Sequence, residues 1–151
     1  MSTILKLFLS GILLLFVSTS KGQGNVSLAV TREGDAGFAI TKSNLAIYLS
    51  SEGKIISANS IKGNLNSEIS SGVSHVSYDL HDRVSEIGGE RISYNLQDRV
   101  SDIGGLRISY NLQDKVSNIG DIRISYNLQD KVSEIGSQRV SYNLDGKVSS
   151  F

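Results

Sequence analysis

The chain has no cysteine, no proline and no tryptophan, and only two histidines in 151 residues. Without cysteine it has no disulfide staples, no thiolate nucleophile, no acylated lipoprotein cysteine and no cysteine-bound zinc. Charge of one sign is also missing: 15 basic residues balance 15 acidic ones, so no global field exists to hold a nucleic acid or an anionic membrane. Nucleic acid is therefore excluded as an expected partner. With only His75 and His81 as imidazoles, acid–base and metal chemistry have few places to reside. What is plentiful is glycine, 15 residues, together with serine, a profile that suits a chain of many tight turns.

The N-terminus has the pattern of an export signal. Lys6 precedes the apolar run 7–17, and the small, polar stretch STSKGQG follows. That run is well short of the roughly 20 residues that span a bilayer, which favours a cleaved signal over an anchor. Cleavage is expected near Ser20 to Gly24, giving a signal peptide over 1–24 and a secreted, extracellular or periplasmic mature chain. The membrane would then be met only during export.

From residue 75 the chain repeats itself every sixteen positions. The copies are HVSYDLHDRVSEIGGE from His75, RISYNLQDRVSDIGGL from Arg91, RISYNLQDKVSNIGDI from Arg107, RISYNLQDKVSEIGSQ from Arg123 and a truncated RVSYNLDGKVSSF from Arg139. Such a period means one supersecondary unit stacked on its neighbours, and a unit this small cannot bury a core alone. Ile92, Tyr94 and Val100 are strand formers separated by polar residues, while Leu96-Gln97-Asp98 is turn-like. The third turn position is Asp82, Asp98, Asp114, Asp130 and finally Gly146. A three-residue hairpin loop with a G1 bulge needs positive φ there, which glycine adopts freely and aspartate tolerates.

The expected fold class is therefore all-β: an antiparallel meander of tandem 16-residue hairpins in an extended or curled sheet, residues 75–151. An unbroken register with three-residue loops throughout sets Tyr94 opposite Val100, Ser93 opposite Ser101 and Val100 opposite Tyr110. One face then carries a Tyr/Val ladder and the other a serine ladder. That register also points Ile103 to the polar face and Asp102 inward, so a bulge beside Gly104 is expected to reverse the pair. Ten strands would make a ribbon about 48 Å wide, which needs curling or a cover. Residues 25–74, with apolar stretches around Gly34, Gly37 and Gly53, are the expected cover. Within them, IYLSSEGKIIS reads as a worn copy in which Tyr48 and Lys54 frame a turn one residue longer. A second molecule across the Tyr face is the alternative cover.

Tyr142-Asn143-Leu144-Asp145-Gly146-Lys147-Val148 and Tyr78-Asp79-Leu80-His81-Asp82-Arg83-Val84 resemble the YD repeat of bacterial RHS proteins and teneurins. The core of that repeat is Tyr-Asp, two variable residues, Gly, Arg and an aliphatic. Here Asn replaces Asp in four copies, Asp replaces Gly in four, and the period is shorter. The resemblance implies hairpins, an extracellular setting and, as in some members of that family, carbohydrate as a partner.

Two function classes follow. The first is an exported, non-catalytic repeat protein of the cell surface or envelope that uses a flat sheet for structure or for binding a polysaccharide or other surface polymer. Its candidate face is Arg91, Ser93, Asn95, Arg99, Arg107, Ser109, Asn111, Lys115, Arg123, Ser125, Asn127 and Lys131, cations two strands apart among hydroxyls and amides. Carboxylates lie near most of these cations, so mutual neutralisation competes with binding. A variant of this class self-associates through the Tyr/Val face or sheet edges into fibres. The second class is a metal-binding or hydrolytic module around His75, Asp79, His81, Asp82 and Glu86 of the first copy, where a blunted sheet edge is the competing reading. The first class implies no enzyme activity and no cofactor.

Overall fold

Residues 12–18, 25–31, 36–60 and 75–150 are described by the structure, a computed structural model of the chain. Among them there is no helix, and every strand pairs antiparallel with its neighbour in sequence, without closure into a barrel. One five-stranded sheet runs in chain order through β1 (Ile12–Ser18), β2 (Asn25–Thr31), β3 (Ala36–Lys42), β4 (Leu45–Ser50) and β5 (Ile55–Ser60). A nine-stranded sheet follows with β6 (Val76–Tyr78), β7 (Val84–Ile87), β8 (Glu90–Tyr94), β9 (Val100–Ile103), β10 (Leu106–Tyr110), β11 (Val116–Ile119), β12 (Ile122–Tyr126), β13 (Val132–Ile135) and β14 (Gln138–Arg139). The pair β15 (Ser141–Tyr142) and β16 (Val148–Ser150) makes the hairpin of the fifth copy. β1 falls inside the expected signal segment and, among the described residues, pairs only with β2, from Ile12–Thr31 to Ser18–Asn25. Lys6, the stretch 19–24 around the expected cleavage site and residues 61–74 lie outside the described residues.

Each repeat hairpin closes on the turn that its residues require. Asn95 and Arg99 flank a three-residue loop in which the Asp98 amide donates to the Asn95 carbonyl (3.1 Å) and the Asn95 amide to the Arg99 carbonyl (2.9 Å). Asp82, Asp98, Asp114 and Asp130 take positive φ of 57°, 57°, 62° and 61°, and Gly146 takes 72°.

The register beyond the loop differs from the unbroken one in two ways. Tyr94 does face Val100, but Ser93 faces Asp102 and Ile92 faces Ile103, so Ser101 is an extra, bulged residue. The bulge recurs in all five hairpins and sits next to the Tyr–Val pair, not beside Gly104. One added residue resets the alternation, so Val100 and Ile103 both point inward and Asp102 points out. The serine ladder is thereby broken, since half its serines are the bulged residues. Between hairpins the turn has two residues: Ile103 pairs with Leu106 and Asp102 with Arg107, around Gly104 (φ 57°) and Gly105 (φ 91°). Two-residue loops whose twist suits a hairpin require such positive φ, which Gly-Gly supplies.

The two sheets share one core. Phe38, Ile40, Leu45, Ile47 and Leu49 of the first pack in the same buried cluster as Val100, Ile103, Ile108, Val116, Ile119, Val132 and Ile135 of the second. Each is at most 4% exposed, as dry as the centre of a sandwich. Polar ties hold the layers at both ends of β4. On one side the Lys42 ammonium pairs with Glu90 (3.0 Å) and donates to the Gly104 carbonyl, and the Ser43 hydroxyl reaches Glu90 (3.1 Å). On the other, the β4–β5 turn offers the Gly53 carbonyl to the Val100 amide (3.1 Å) and the Ser51 carbonyl to the Val116 amide (2.7 Å).

That turn is itself a repeat turn, and it is no longer than the others. The Ser50 amide donates to the Lys54 carbonyl, the Gly53 amide to the Ser50 carbonyl, and Gly53 has φ 75°. Leu49 pairs with Ile55 across the same register shift. Leu49-Ser50-Ser51-Glu52-Gly53-Lys54-Ile55 therefore matches Tyr94-Asn95-Leu96-Gln97-Asp98-Arg99-Val100, with Leu49 rather than Tyr48 in the tyrosine position. A Cβ on Gly53 would overlap the Tyr110 ring and hydroxyl. Gly53→Ala should cost more than about 2 kcal/mol by urea unfolding, because it strains φ and pushes apart the two layers together. A variant within experimental error of the parent would remove this turn as an anchor.

Candidate functional site

Successive hairpins are held by side chains where their backbones part. After the two pairs beside the Gly turn, the β9–β10 ladder ends, and the gap is bridged by the tyrosine of the following hairpin. Hydroxyls of Tyr94, Tyr110, Tyr126 and Tyr142 donate to the carbonyls of Val84, Val100, Val116 and Val132, at 2.8, 2.5, 2.9 and 2.5 Å. Burial raises the phenol pKa of Tyr94, pushes that of Tyr110 up to about 12 and raises that of Tyr126 further, so the ring stays a neutral donor. Over each ring lies the basic residue of the preceding hairpin: Arg83 on Tyr94 (4.6 Å to the centroid), Arg99 on Tyr110 (4.2 Å), Lys115 on Tyr126 and Lys131 on Tyr142 (5.4 Å each). The same cation reaches the next turn: Arg83 pairs with Asp98, Arg99 with Asp114 (2.6 Å), Lys115 bonds the Asp130 carbonyl (3.1 Å), and Lys131 bonds the Gly146 carbonyl.

The twelve candidate residues consequently divide in three. Arg99, Lys115 and Lys131 are spent on these inter-hairpin contacts. Asn95, Asn111 and Asn127 close their own loops, each Oδ1 accepting from the amides two and four residues on at 2.9–3.0 Å. Arg91, Arg107 and Arg123, with Ser93, Ser109 and Ser125, lie on the outer face. The three arginines are exposed, and Arg139 continues their row. Among the described residues none of these four arginines forms an ion pair.

Cross-strand neighbours decide the local charge of that face. Glu86 pairs with Arg91, Asp102 with Arg107, Asn118 with Arg123 and Glu134 with Arg139. Asn118 also faces Ser109 on its other side. In the third copy, then, an amide stands where the first, second and fourth copies have a carboxylate, between Ser109 on one side and Arg123 on the other. The arginines recur at about 9.6 Å, two strand spacings. A carboxylate stands opposite Arg91, Arg107 and Arg139, whereas Arg123 faces an amide and its charge is not met by its cross-strand neighbour.

The first copy does not assemble its titratable groups into a centre. Asp79 takes the loop-closing place of Asn95, accepting from the His81 and Arg83 amides (2.8 and 3.0 Å) and pairing with the Arg83 guanidinium (2.7 Å). His75, His81 and Asp82 are exposed, and among the described residues no three His, Asp or Glu side chains are grouped to hold a metal.

One surface feature escaped the sequence reading. Leu80, Leu96, Leu112, Leu128 and Leu144 sit at the hairpin tips and are 97–108% exposed. Their signal was present: a leucine kept in a polar turn through every copy, where no core can reach it.

Fold and surface together define an all-β, two-layer protein built on a tandem hairpin array. No protein-family model, no curated protein and no solved structure matches the chain significantly.

Two measurements separate structural cations from free ones. Arg99→Ala should lower unfolding stability by about 1–2 kcal/mol through loss of the Tyr110 contact and the Asp114 pair, whereas Arg107→Ala should behave as an ordinary surface change. Equal effects would dissolve the distinction. The second uses pH. The Arg83 guanidinium, followed by the two amides, holds the Asp79 carboxyl down at about 2 from an ordinary 3.8. A depressed folded pKa means a contribution complete above 3.8 and lost as pH falls through about 2. Amide exchange at His81 and Arg83 should therefore accelerate over that window, while the Asn-closed loops at Gln113 and Lys115 keep their protection.

Proposed function

We propose that the protein is an exported, non-catalytic repeat protein of the cell surface or envelope, whose outer sheet face binds an extended anionic or hydroxylated polymer such as a polysaccharide. The observation that carries this is the exposed arginine row, free of ion pairs among the described residues, in which Arg123 faces the Asn118 amide rather than a carboxylate. A flat array of cations about 9.6 Å apart suits a ligand that repeats along its length, and hydroxyls of Ser109 and Ser125 beside them add neutral hydrogen bonds. Binding of this kind is multivalent and weakens with salt. The signal-like N-terminus and the YD-repeat resemblance support the extracellular setting.

The test is affinity electrophoresis in gels carrying dextran sulfate or neutral dextran. The parent chain should be retarded by the sulfated polymer, less so at high salt. Asn118→Asp, which gives the third copy the carboxylate of its neighbours, should weaken retardation about fivefold, an effect near the upper limit for one exposed charge. Arg107→Ser with Arg123→Ser should abolish it without altering the unfolding curve. Retention by these variants equal to the parent's would overturn the reading.

A further inference from the structure

The leucine in each repeat turn is not required by the turn. Asn95 supplies the loop-closing oxygen and Asp98 the positive φ, and the other copies divide the work in the same way. The β4–β5 turn has the same backbone hydrogen bonds and the same register shift, yet it carries Ser51 where the others carry leucine, and it is the turn that packs against the array. Leu80, Leu96, Leu112, Leu128 and Leu144 are instead 97–108% exposed. The three-residue loops all close the same end of their hairpins, with the glycine turns at the other end, and Lys131 and Tyr142 hold the fifth hairpin in line. The five leucines therefore stand in single file along one edge of the layer. Their separation is at least two strand spacings, about 9.6 Å.

Apolar side chains this exposed and this regular mark a contact surface. The row is one side chain wide, so it lacks the compact patch of roughly 800 Å² on which an ordinary globular partner docks. A lipid surface is disfavoured by charge. Asp82, Asp98, Asp114 and Asp130 stand two residues after their leucines and Asp145 one after Leu144, all exposed, so carboxylates would meet anionic headgroups together with the leucines. A second leucine row of the same period fits. Half of the step is about 4.8 Å, close to the roughly 4.0–4.5 Å of apolar contact, so each leucine of one row fills the gap between two of the other. This chain itself carries such a row.

We infer that the leucine row is an interface between two copies of this chain, set antiparallel about a two-fold axis. The middle residues of the turns fix the direction. Gln97, Gln113 and Gln129 are neutral amides that both give and accept hydrogen bonds, and they meet one another whichever way the rows run. The first and fifth tips differ, with His81 in one and Asp145 in the other, both exposed. Antiparallel rows bring His81 of each copy beside Asp145 of the other, a ring N–H against a carboxylate, twice in the dimer. Parallel rows would set Asp145 beside Asp145. Three of the turn aspartates are already met by a cation of the preceding hairpin, Asp98 by Arg83, Asp114 by Arg99 and Asp130 by Lys115, so the facing rows bring little like charge together. The contact is isologous and closes at two copies. Five leucines a side are modest beside interfaces that bury roughly 1,200–2,000 Å², so the dimer is weak and concentration-dependent.

Sedimentation and cross-linking test this. The purified chain, sedimented over a range of concentrations, should pass from monomer to dimer without larger species. Leu96→Ser with Leu128→Ser should weaken that association roughly tenfold or more and leave the unfolding midpoint unchanged, because both side chains are already in water. Direction is read with a short bismaleimide, which the absence of cysteine makes specific. The His81→Cys variant mixed with the Asp145→Cys variant should give the mixed dimer in preference to either homodimer, and Gln113→Cys should cross-link to itself. A parent chain monomeric at every concentration, or dimers indifferent to the leucine substitutions, overturns the inference. So does a monomer that binds phosphatidylcholine vesicles through the same leucines, which would give the row to a membrane. Homodimers of the His81→Cys variant in place of the mixed dimer overturn the antiparallel arrangement.

Discussion

The array depends on a tyrosine hydroxyl meeting a valine carbonyl ten residues earlier. Each hairpin is joined to the next by a two-residue turn and two residue pairs, after which the strands part. Parted strands leave backbone groups facing an apolar layer, and such groups are costly unless they find partners. The tyrosine supplies one partner, and its ring fills the gap that splaying opens. Once the ring is there, its exposed face is covered by the cation of the preceding hairpin, whose remaining charge is met by the next turn. Three recurring positions, the tyrosine, the basic residue and the third turn residue, are thus one contact.

The same parting explains how the second layer docks. At Val100 and Val116 the amides are not used by the neighbouring hairpin, and the carbonyls of Gly53 and Ser51 take them. The β4–β5 turn can do so because it is folded as a repeat turn, and glycine at its third position leaves room for Tyr110. A hairpin with the turn geometry of the repeats, facing the array, gives a cover whose turn fits the surface it covers. The cover is thus fixed in position by hydrogen bonds at the parting strands and by Lys42 at the glycine turns, while apolar burial between the layers supplies the bulk of the stability.

Much of this was legible in the residues, and what was not has a definable cause. The hairpin turn could be read because Asp and Gly alternate at one position, and only a requirement for positive φ unites them. Tyr94 opposite Val100 followed from that loop. The bulge could be anticipated from Ile103, which a strict alternation would have exposed, but its place could not: moving it from Gly104 to Ser101 shows chiefly in what faces Ser93, and the polar serine pairs as well with Asp102 as with Ser101. Likewise Tyr48 drew the eye in the worn copy, whereas the turn chemistry of Ser50, Gly53 and Lys54 aligns Leu49. Side-chain identity was a weaker guide there than backbone requirement.

The candidate face illustrates a more general limit. Arg91 and Arg99 are the same residue type, eight positions apart in a sixteen-residue unit, and composition gives no reason to separate them. Their fates differ because the bulge and the two turns place one beside the next tyrosine and the other on the open sheet. Periodic sequence makes such a distinction recur in every copy, so a single geometric fact reassigns whole rows at once. It also makes deviations informative: an amide at 118 where the first, second and fourth copies carry a carboxylate changes nothing in the core or the turns, and so has its effect only on what the outer face can attract.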